Sequence, residues 1–183
     1  MTDTQVSDAV DLTRRWLERF VIGLGLCPFA AVPFRQERIV YTVCESETLE
    51  EIYEAFLFSL RDLVLADPEE QETALLILSR GLADFDDYID ALGVLEGALG
   101  DAGLEGVIQV ASFHPGYRFR GTPADDPANY SNRSPFPMFH LIREDGLAEA
   151  LNTYREPEAI PERNVRVLRE LGVDRISALL KGD

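Results

Sequence analysis

Apolar residues recur along the chain at spacings that predict alternating helices and strands. Over residues 3–24 they fall three, four or seven positions apart, which is the pattern of one face of an amphipathic helix. Gly23 and Gly25, followed by Pro28, end this helix. Three short segments rich in β-branched or apolar residues then predict strands, at residues 38–44, 73–78 and 106–113.

Helices are predicted between these strands. One begins at a capping box of Thr48 with Glu51 and runs to about residue 66, and another begins at Asp84 or Asp86 and runs to about residue 99. The order β-α-β-α-β predicts an α/β fold, with a small, mostly parallel sheet in two or three layers and helices at both termini. An α+β fold with a mixed sheet is the alternative. The length of 183 residues predicts a single domain over residues 1–183.

The pattern changes after residue 113. Residues 114–134 show no helical or strand periodicity and are dense in Gly, Pro, Asp, Asn, Ser and aromatic residues. Irregular segments of this length are usually functional or disordered, and the aromatic residues favour order. We therefore predict an ordered functional loop that lines a pocket beyond the carboxyl ends of the strands, where open α/β sheets bind ligands.

A further helix is predicted directly after this loop. Ser134 would be its N-cap and Pro135 its first residue, so its N-terminus would face the pocket and favour an anion. On such a helix His140 and Glu144 lie one turn apart, and Glu144 would fix the imidazole tautomer. Two short helices are predicted near the C-terminus, the first of them ending at Gly172.

The chain is strongly acidic, with 33 Asp and Glu against 17 Lys and Arg and a formal charge of −16. This charge argues against nucleic-acid binding, which needs a cationic face. A membrane partner is not expected either, because there is only one lysine and no apolar run near the roughly 20 residues that a bilayer requires. The N-terminus lacks the basic region of a signal peptide, so we expect a cytoplasmic protein.

Residues 114–144 depart from this acidity, because they hold four arginines against three acids and both histidines of the chain. Arginine pairs well with carboxylate and phosphate groups. The partner predicted from this composition is a small anionic ligand. Its candidate binding residues are Arg80, Tyr117, Arg120, Asn129, Tyr130, Asn132, Arg133 and Ser134.

Catalysis would rest on the two histidines and a carboxylate. His114 and His140 would transfer protons, and Asp125 or Asp126 would orient one imidazole. Structural roles are the competing interpretation, with a hydrogen-bonded core histidine and an aspartate that caps a turn. Cys27 is either an inert apolar thiol or a reactive one. There is no Gly-rich phosphate loop or dinucleotide motif, and the cofactor is unknown.

The run FHPGYRFRGTPADDPANYSNRSPFPMFHLIRE, together with GLGLCPFA around Cys27, resembles an uncharacterised bacterial family, the domain of unknown function 1415. The resemblance covers nearly the whole chain and implies no activity, substrate or cofactor. Three functions therefore remain open: an acid–base enzyme acting on a small anionic metabolite, a metal-assisted hydrolase that uses both histidines, and a non-catalytic ligand-binding or assembly module. The oligomeric state is open as well.

Overall fold

The computed structural model describes residues 3–152, 154 and 156–181, with the side chains of residues 3 and 4 left aside. The helices are α1 (Asp3–Trp16), continued by a π-helical segment (Leu17–Ile22), α2 (Ala31–Arg35), α3 (Leu49–Leu65), α4 (Phe85–Asp101), α5 (Glu144–Asn152) and α6 (Ile160–Lys181). The strands are β1 (Ile39–Cys44), β2 (Thr73–Leu78), β3 (Ile108–Phe113) and β4 (Met138–Arg143), and short 3₁₀ helices cover Pro127–Ser131 and Pro157–Ala159.

The two helices between the first three strands begin at the predicted caps. The Thr48 hydroxyl accepts a hydrogen bond from the Glu51 backbone N–H at 3.4 Å, which starts α3. The Asp84 carboxylate accepts from the backbone N–H groups of Asp86 and Asp87 at 2.8 and 3.2 Å, which starts α4. These side chains satisfy N–H groups that have no partner within the helix.

The four strands form one mixed sheet in the order β1-β2-β4-β3. β1 and β2 are parallel, and β4 pairs antiparallel with both β2 and β3. The three predicted strands therefore do run in the same direction, but β4 separates β2 from β3. The chain forms a mixed α/β fold, which is the mixed-sheet alternative rather than the mostly parallel sheet.

The predicted helix from Pro135 is wrong, because residues 138–143 form strand β4 in the interior of the sheet. A six-residue run with four apolar residues suits a strand as well as a helix, and here the neighbouring strands supply hydrogen bonds along both edges. Ser134 consequently caps no helix, and its hydroxyl instead donates to the Phe136 carbonyl at 2.6 Å. Glu144 is the first residue of α5, about 13 Å along the chain from His140 at strand spacing, so it is not one helical turn away.

Helices cover both faces of the sheet. On one face α3 and α4 pack against alternate residues of β2 and β4; this core includes Phe56, Leu60, Leu76, Tyr88, Leu95, Phe139 and Leu141. On the other face α1, the π-helical segment and α6 pack against the intervening residues; this core includes Trp16, Phe20, Leu75, Ile77, Met138, Leu168 and Ile176. Every residue of β2 is buried, as expected of a strand covered on both sides.

Two helices depart from regular geometry. The first helix widens after Trp16, where backbone bonds span five residues, as from Leu26 N–H to the Val21 carbonyl at 2.8 Å. Such π-helical turns are often found at functional sites. α6 is kinked at Gly172, the residue predicted to end a helix, which has φ 73° and ψ 161°. None of the helices in the described part of the chain has the length and apolar character needed to cross a bilayer.

Candidate functional site

The loop from residue 114 to residue 134 is ordered by its own polar side chains. Asp126 caps the 3₁₀ helix by accepting from the Ala128 N–H at 2.9 Å. The buried Asn129 side chain accepts from the Phe119 N–H at 3.0 Å and donates to the Pro123 carbonyl at 2.8 Å. These bonds give the irregular segment a fixed shape.

The loop is also fastened to β3, because Asn132 bonds to the end of that strand. Its side chain donates to the Ser112 carbonyl at 3.0 Å, and its carbonyl accepts from the His114 N–H at 3.1 Å. The amide groups of Asn129 and Asn132 are thus engaged with backbone, as an Asx-type structural role requires.

Arg133 joins separate parts of the loop to each other and to α1. Its Nε donates to the Tyr117 carbonyl at 3.0 Å, and its Nη2 donates to the Ala124 carbonyl at 2.6 Å. The guanidinium lies over the Tyr130 ring, 4.6 Å from the centroid. The Arg133 carbonyl accepts from the indole N–H of Trp16 at 3.0 Å, which attaches the loop to the first helix.

His114 is a buried side chain with both ring nitrogens hydrogen-bonded. Nδ1 accepts from the Gly116 N–H at 2.9 Å, so the proton lies on Nε2, which donates to the Leu82 carbonyl at 3.0 Å. The ring packs against Tyr88 and Phe85, and burial lowers the pKa of the imidazole. His114 therefore ties the end of β3 to the loop after β2, where Leu82 holds a positive φ of 54°.

His140 lies on the opposite face of the sheet from His114. The ring of Tyr88, which contacts His114, stacks on Phe139, and His140 follows Phe139 in β4 and so points the other way. His140 lies 6.3 Å from the Phe113 ring between centroids, and its Nε2 is buried without a hydrogen-bond partner. Burial lowers the pKa of this imidazole to about 4. The structure thus does not bring the two histidines together.

Neither candidate carboxylate forms a hydrogen bond or an ion pair with His114 or His140 in the part of the chain that the structure describes. Asp126 forms an ion pair with Arg169, 2.8 Å between Oδ2 and Nη2, and this arginine together with the cap lowers the pKa of the carboxyl. Asp125 is exposed. Within the described ranges, no group of three or more His, Cys, Asp or Glu side chains is placed to share a metal ion.

The other candidate residues are dispersed. Tyr117 packs between Phe85 and Phe119, and Arg120 is exposed. Arg80 is exposed after β2 and borders a shallow pocket beside the N-terminal part of α1. Cys27 lines an apolar cavity under the loop, and burial raises the pKa of its thiol. A raised pKa favours the inert thiol over the reactive one.

One cavity does combine predicted residues with new ones. It has a volume of about 570 Å³ and lies between the first helix, the loop and the end of α6. We call it the Trp16 cavity; it is lined by Leu12, Arg15, Trp16, Arg19, Phe20, Pro115, Tyr130, Arg133, Ser134, Pro135, Leu179, Leu180 and Lys181. Trp16 contacts Phe113, the last residue of β3, so the cavity borders the carboxyl end of that strand, where a pocket was predicted.

Among the described residues that line the Trp16 cavity are four cationic side chains and no Asp or Glu. The ion pairs among described residues are Arg38–Glu72, Arg61–Asp62, Arg118–Asp86 and Arg169–Asp126, so none of them neutralises a cavity cation. Arginines and a lysine that form no ion pair with another described residue, beside low-dielectric walls, attract anions.

Arg15 and Arg19 belong to the site but were not among the sequence candidates, and neither was Lys181. The signal for the two arginines was present, because they fall on the same helical stripe as Trp16 and Phe20, three or four positions apart. Lys181 carried no comparable signal.

A family model described as a protein of unknown function (DUF1415) matches residues 8–178. No curated protein and no solved structure matches the chain.

Proposed function

Because the chain belongs to the DUF1415 family, to which no activity is assigned, we propose its function from the Trp16 cavity: it binds a small anionic ligand there. The observation that carries this proposal is the lining itself. In a chain with a formal charge of −16, one cavity is lined by four cationic residues and, within the part of the chain that the structure describes, by no carboxylate. Its volume falls in the range of about 300–1,000 Å³ that is typical of ligand pockets.

Binding is better supported than catalysis. The lining residues that the structure describes include no histidine or carboxylate to act as a general base, and the Ser134 hydroxyl is engaged with a backbone carbonyl. The acid–base enzyme remains a prediction, and so does its metal-assisted form. The arrangement of His114, His140 and Asp125 or Asp126 in the structure favours neither of them. We place the binding function in the cytoplasm, and we expect neither a nucleic acid nor a membrane as its partner.

Calorimetric titration with phosphate and with octanoate at low ionic strength tests the proposal. Arg15→Gln and Arg19→Gln should each weaken the binding of an anion about tenfold, because hydrogen bonds to charged groups contribute roughly 1.5–3 kcal/mol. Arg35→Gln is the matched control, since Arg35 is exposed on α2 and outside the cavity lining. Equal affinity of all three variants for both anions, or no binding of either anion, would refute the proposal.

A further inference from the structure

The Trp16 cavity is too large for an inorganic anion alone. Its volume of about 570 Å³ corresponds to on the order of twenty waters at roughly 30 Å³ each. Phosphate or sulfate has only five heavy atoms and would leave most of this space filled with solvent. The volume points to a ligand with an organic body in addition to its charged group.

The wall of the cavity is suited to an apolar body. Leu12 of α1 and Leu180 of α6 are 42% and 41% exposed, although they come from opposite ends of the chain and border the same cavity. Beneath them the buried Trp16 and Phe20 form the floor of the cavity. An apolar group in the cavity would cover both leucines, and removing such surface from water favours binding.

The cations lie beside this apolar wall rather than in a separate polar pocket. Arg15 and Arg19 are exposed residues on the same helical stripe as Leu12 and Trp16, and Lys181 follows Leu180 directly. A ligand that satisfies both features needs an anionic group attached to an apolar body. A neutral hydrophobe would leave the cations without a partner, and an inorganic anion would leave the leucines in water.

We propose, building on the anion-binding function, that the ligand is an amphiphilic anion. Its carboxylate, sulfate or phosphate group contacts Arg15, Arg19 and Lys181, and its aliphatic or aromatic body lies against Trp16, Leu12 and Leu180. This assigns the chemical class of the ligand.

Trp16 provides a direct measurement of this contact, because it is the one tryptophan of the chain and lines the cavity. The emission of Trp16 is followed during titration with phosphate, acetate, butanoate, hexanoate and octanoate, and with 1-naphthoate as the aromatic arm. Affinity should rise about threefold to fourfold for each buried methylene, with phosphate and acetate the weakest. The comparison of octanoate with naphthoate tells which kind of body fits better.

A double variant separates this inference from the proposed function. Leu12→Ser with Leu180→Ser removes the apolar wall and should flatten the dependence of affinity on chain length. Leu65→Ser is the matched control, because Leu65 is 77% exposed on α3 and outside the cavity. Circular dichroism verifies that each variant is folded.

The two ways of failing have different signatures. If phosphate and acetate bind as tightly as octanoate and the binding depends on Arg15 and Arg19, anion binding stands and the amphiphilic ligand is refuted. An unchanged chain-length dependence in the double leucine variant refutes it as well. If no anion in the series shows dependence on the arginines, the proposed function itself fails.

Discussion

His140 is a titratable side chain in the interior of the sheet, with Leu75 and Ala111 as its neighbours across the two strand pairs. Its Nε2 is buried without a hydrogen-bond partner, so protonation would place an uncompensated charge among apolar groups. Burial therefore lowers the pKa of this imidazole and favours its neutral form in the folded protein. Protonation of His140 therefore affects the free energy of unfolding, whether or not the side chain has a catalytic role.

We predict that His140 makes the fold sensitive to mild acid. Its pKa is about 4 in the folded chain against 6.5 ordinarily, so between these values the unfolded chain binds a proton that the folded chain does not. The contribution is complete above pH 6.5 and is lost as the pH falls towards 4, by up to roughly 3 kcal/mol. NMR titration of the two imidazoles measures their pKa values. The His140→Leu variant should lose less free energy of unfolding over the same pH interval. Titration of His140 near pH 6.5 would contradict the prediction.

Asn129 serves the loop rather than the ligand. We predict that Asn129→Ala lowers the free energy of unfolding by about 2–3 kcal/mol, because it removes both hydrogen bonds of a buried amide and takes that partner from the part-buried Phe119 N–H and Pro123 carbonyl. Asp125→Ala, at an exposed position of the same loop, should change it by less than about 0.5 kcal/mol. Urea unfolding of both variants provides the comparison. A stable Asn129→Ala variant with weakened anion binding would instead return Asn129 to the binding site.

The residue types in the loop predicted its importance but not the direction of its polar groups. Asn129, Asn132 and Arg133 carry donors that suit a ligand and a backbone carbonyl equally well. Only the path of the chain decides between them, and here that path places carbonyls within reach of all three. Tyr130, Arg133 and Ser134 do line the Trp16 cavity. The other walls of the cavity come from α1 and α6, which are distant in the sequence.

The helices α3 and α4 were predictable because their start signals are local, with Thr48 and Asp84 as caps before long amphipathic patterns. β4 was not, because its six residues read as a helix when Ser134 and Pro135 are taken as a cap and a first turn. The deciding factor is non-local: two strand edges are available, one from β2 and one from β3. A short apolar run takes the structure that satisfies its backbone in that setting.

The kink in α6 can be tested by comparing a glycine substitution there with one in the regular helix α4. Gly172 has φ 73° and ψ 161°, a conformation that is essentially restricted to glycine, while a Cβ there would meet nothing within 4 Å. We predict that Gly172→Ala destabilises the protein by about 1–3 kcal/mol through backbone strain alone. Gly93 in the middle of α4 also has open space, and Gly93→Ala should stabilise by roughly 0.5–1 kcal/mol. Thermal unfolding measures both, and shifts of the same sign would contradict the prediction.

The charge of the whole molecule and the charge of its cavity have opposite signs. The formal net charge of −16 destabilises the compact state by self-repulsion, whereas the cations of the Trp16 cavity attract the ligand. Salt screens both effects. One variable should therefore move stability and affinity in opposite directions.

We predict that raising sodium chloride from about 0.01 M to about 0.5 M increases the free energy of unfolding and weakens the binding of octanoate, because the Debye length shrinks from roughly 30 Å to only a few ångströms. Urea unfolding and calorimetry in the same buffers measure the two quantities. Arg35→Gln should behave as the unmodified chain does in both. A gain in affinity with salt would contradict a cationic site.

The position of β4 has a consequence for the folding of the chain during its synthesis on the ribosome. β2 leaves the exit tunnel with one edge ready for β1, but the partner of its other edge is β4, which is translated only after α4, β3 and the whole loop. At about 5–20 residues per second, that edge of a strand whose residues are all buried in the folded protein stays open for several seconds. Unpaired apolar strand edges invite association between chains. Synthesis of this protein therefore passes through an interval in which nascent chains need shielding from one another, and it ends when Met138–Arg143 enters the gap in the sheet.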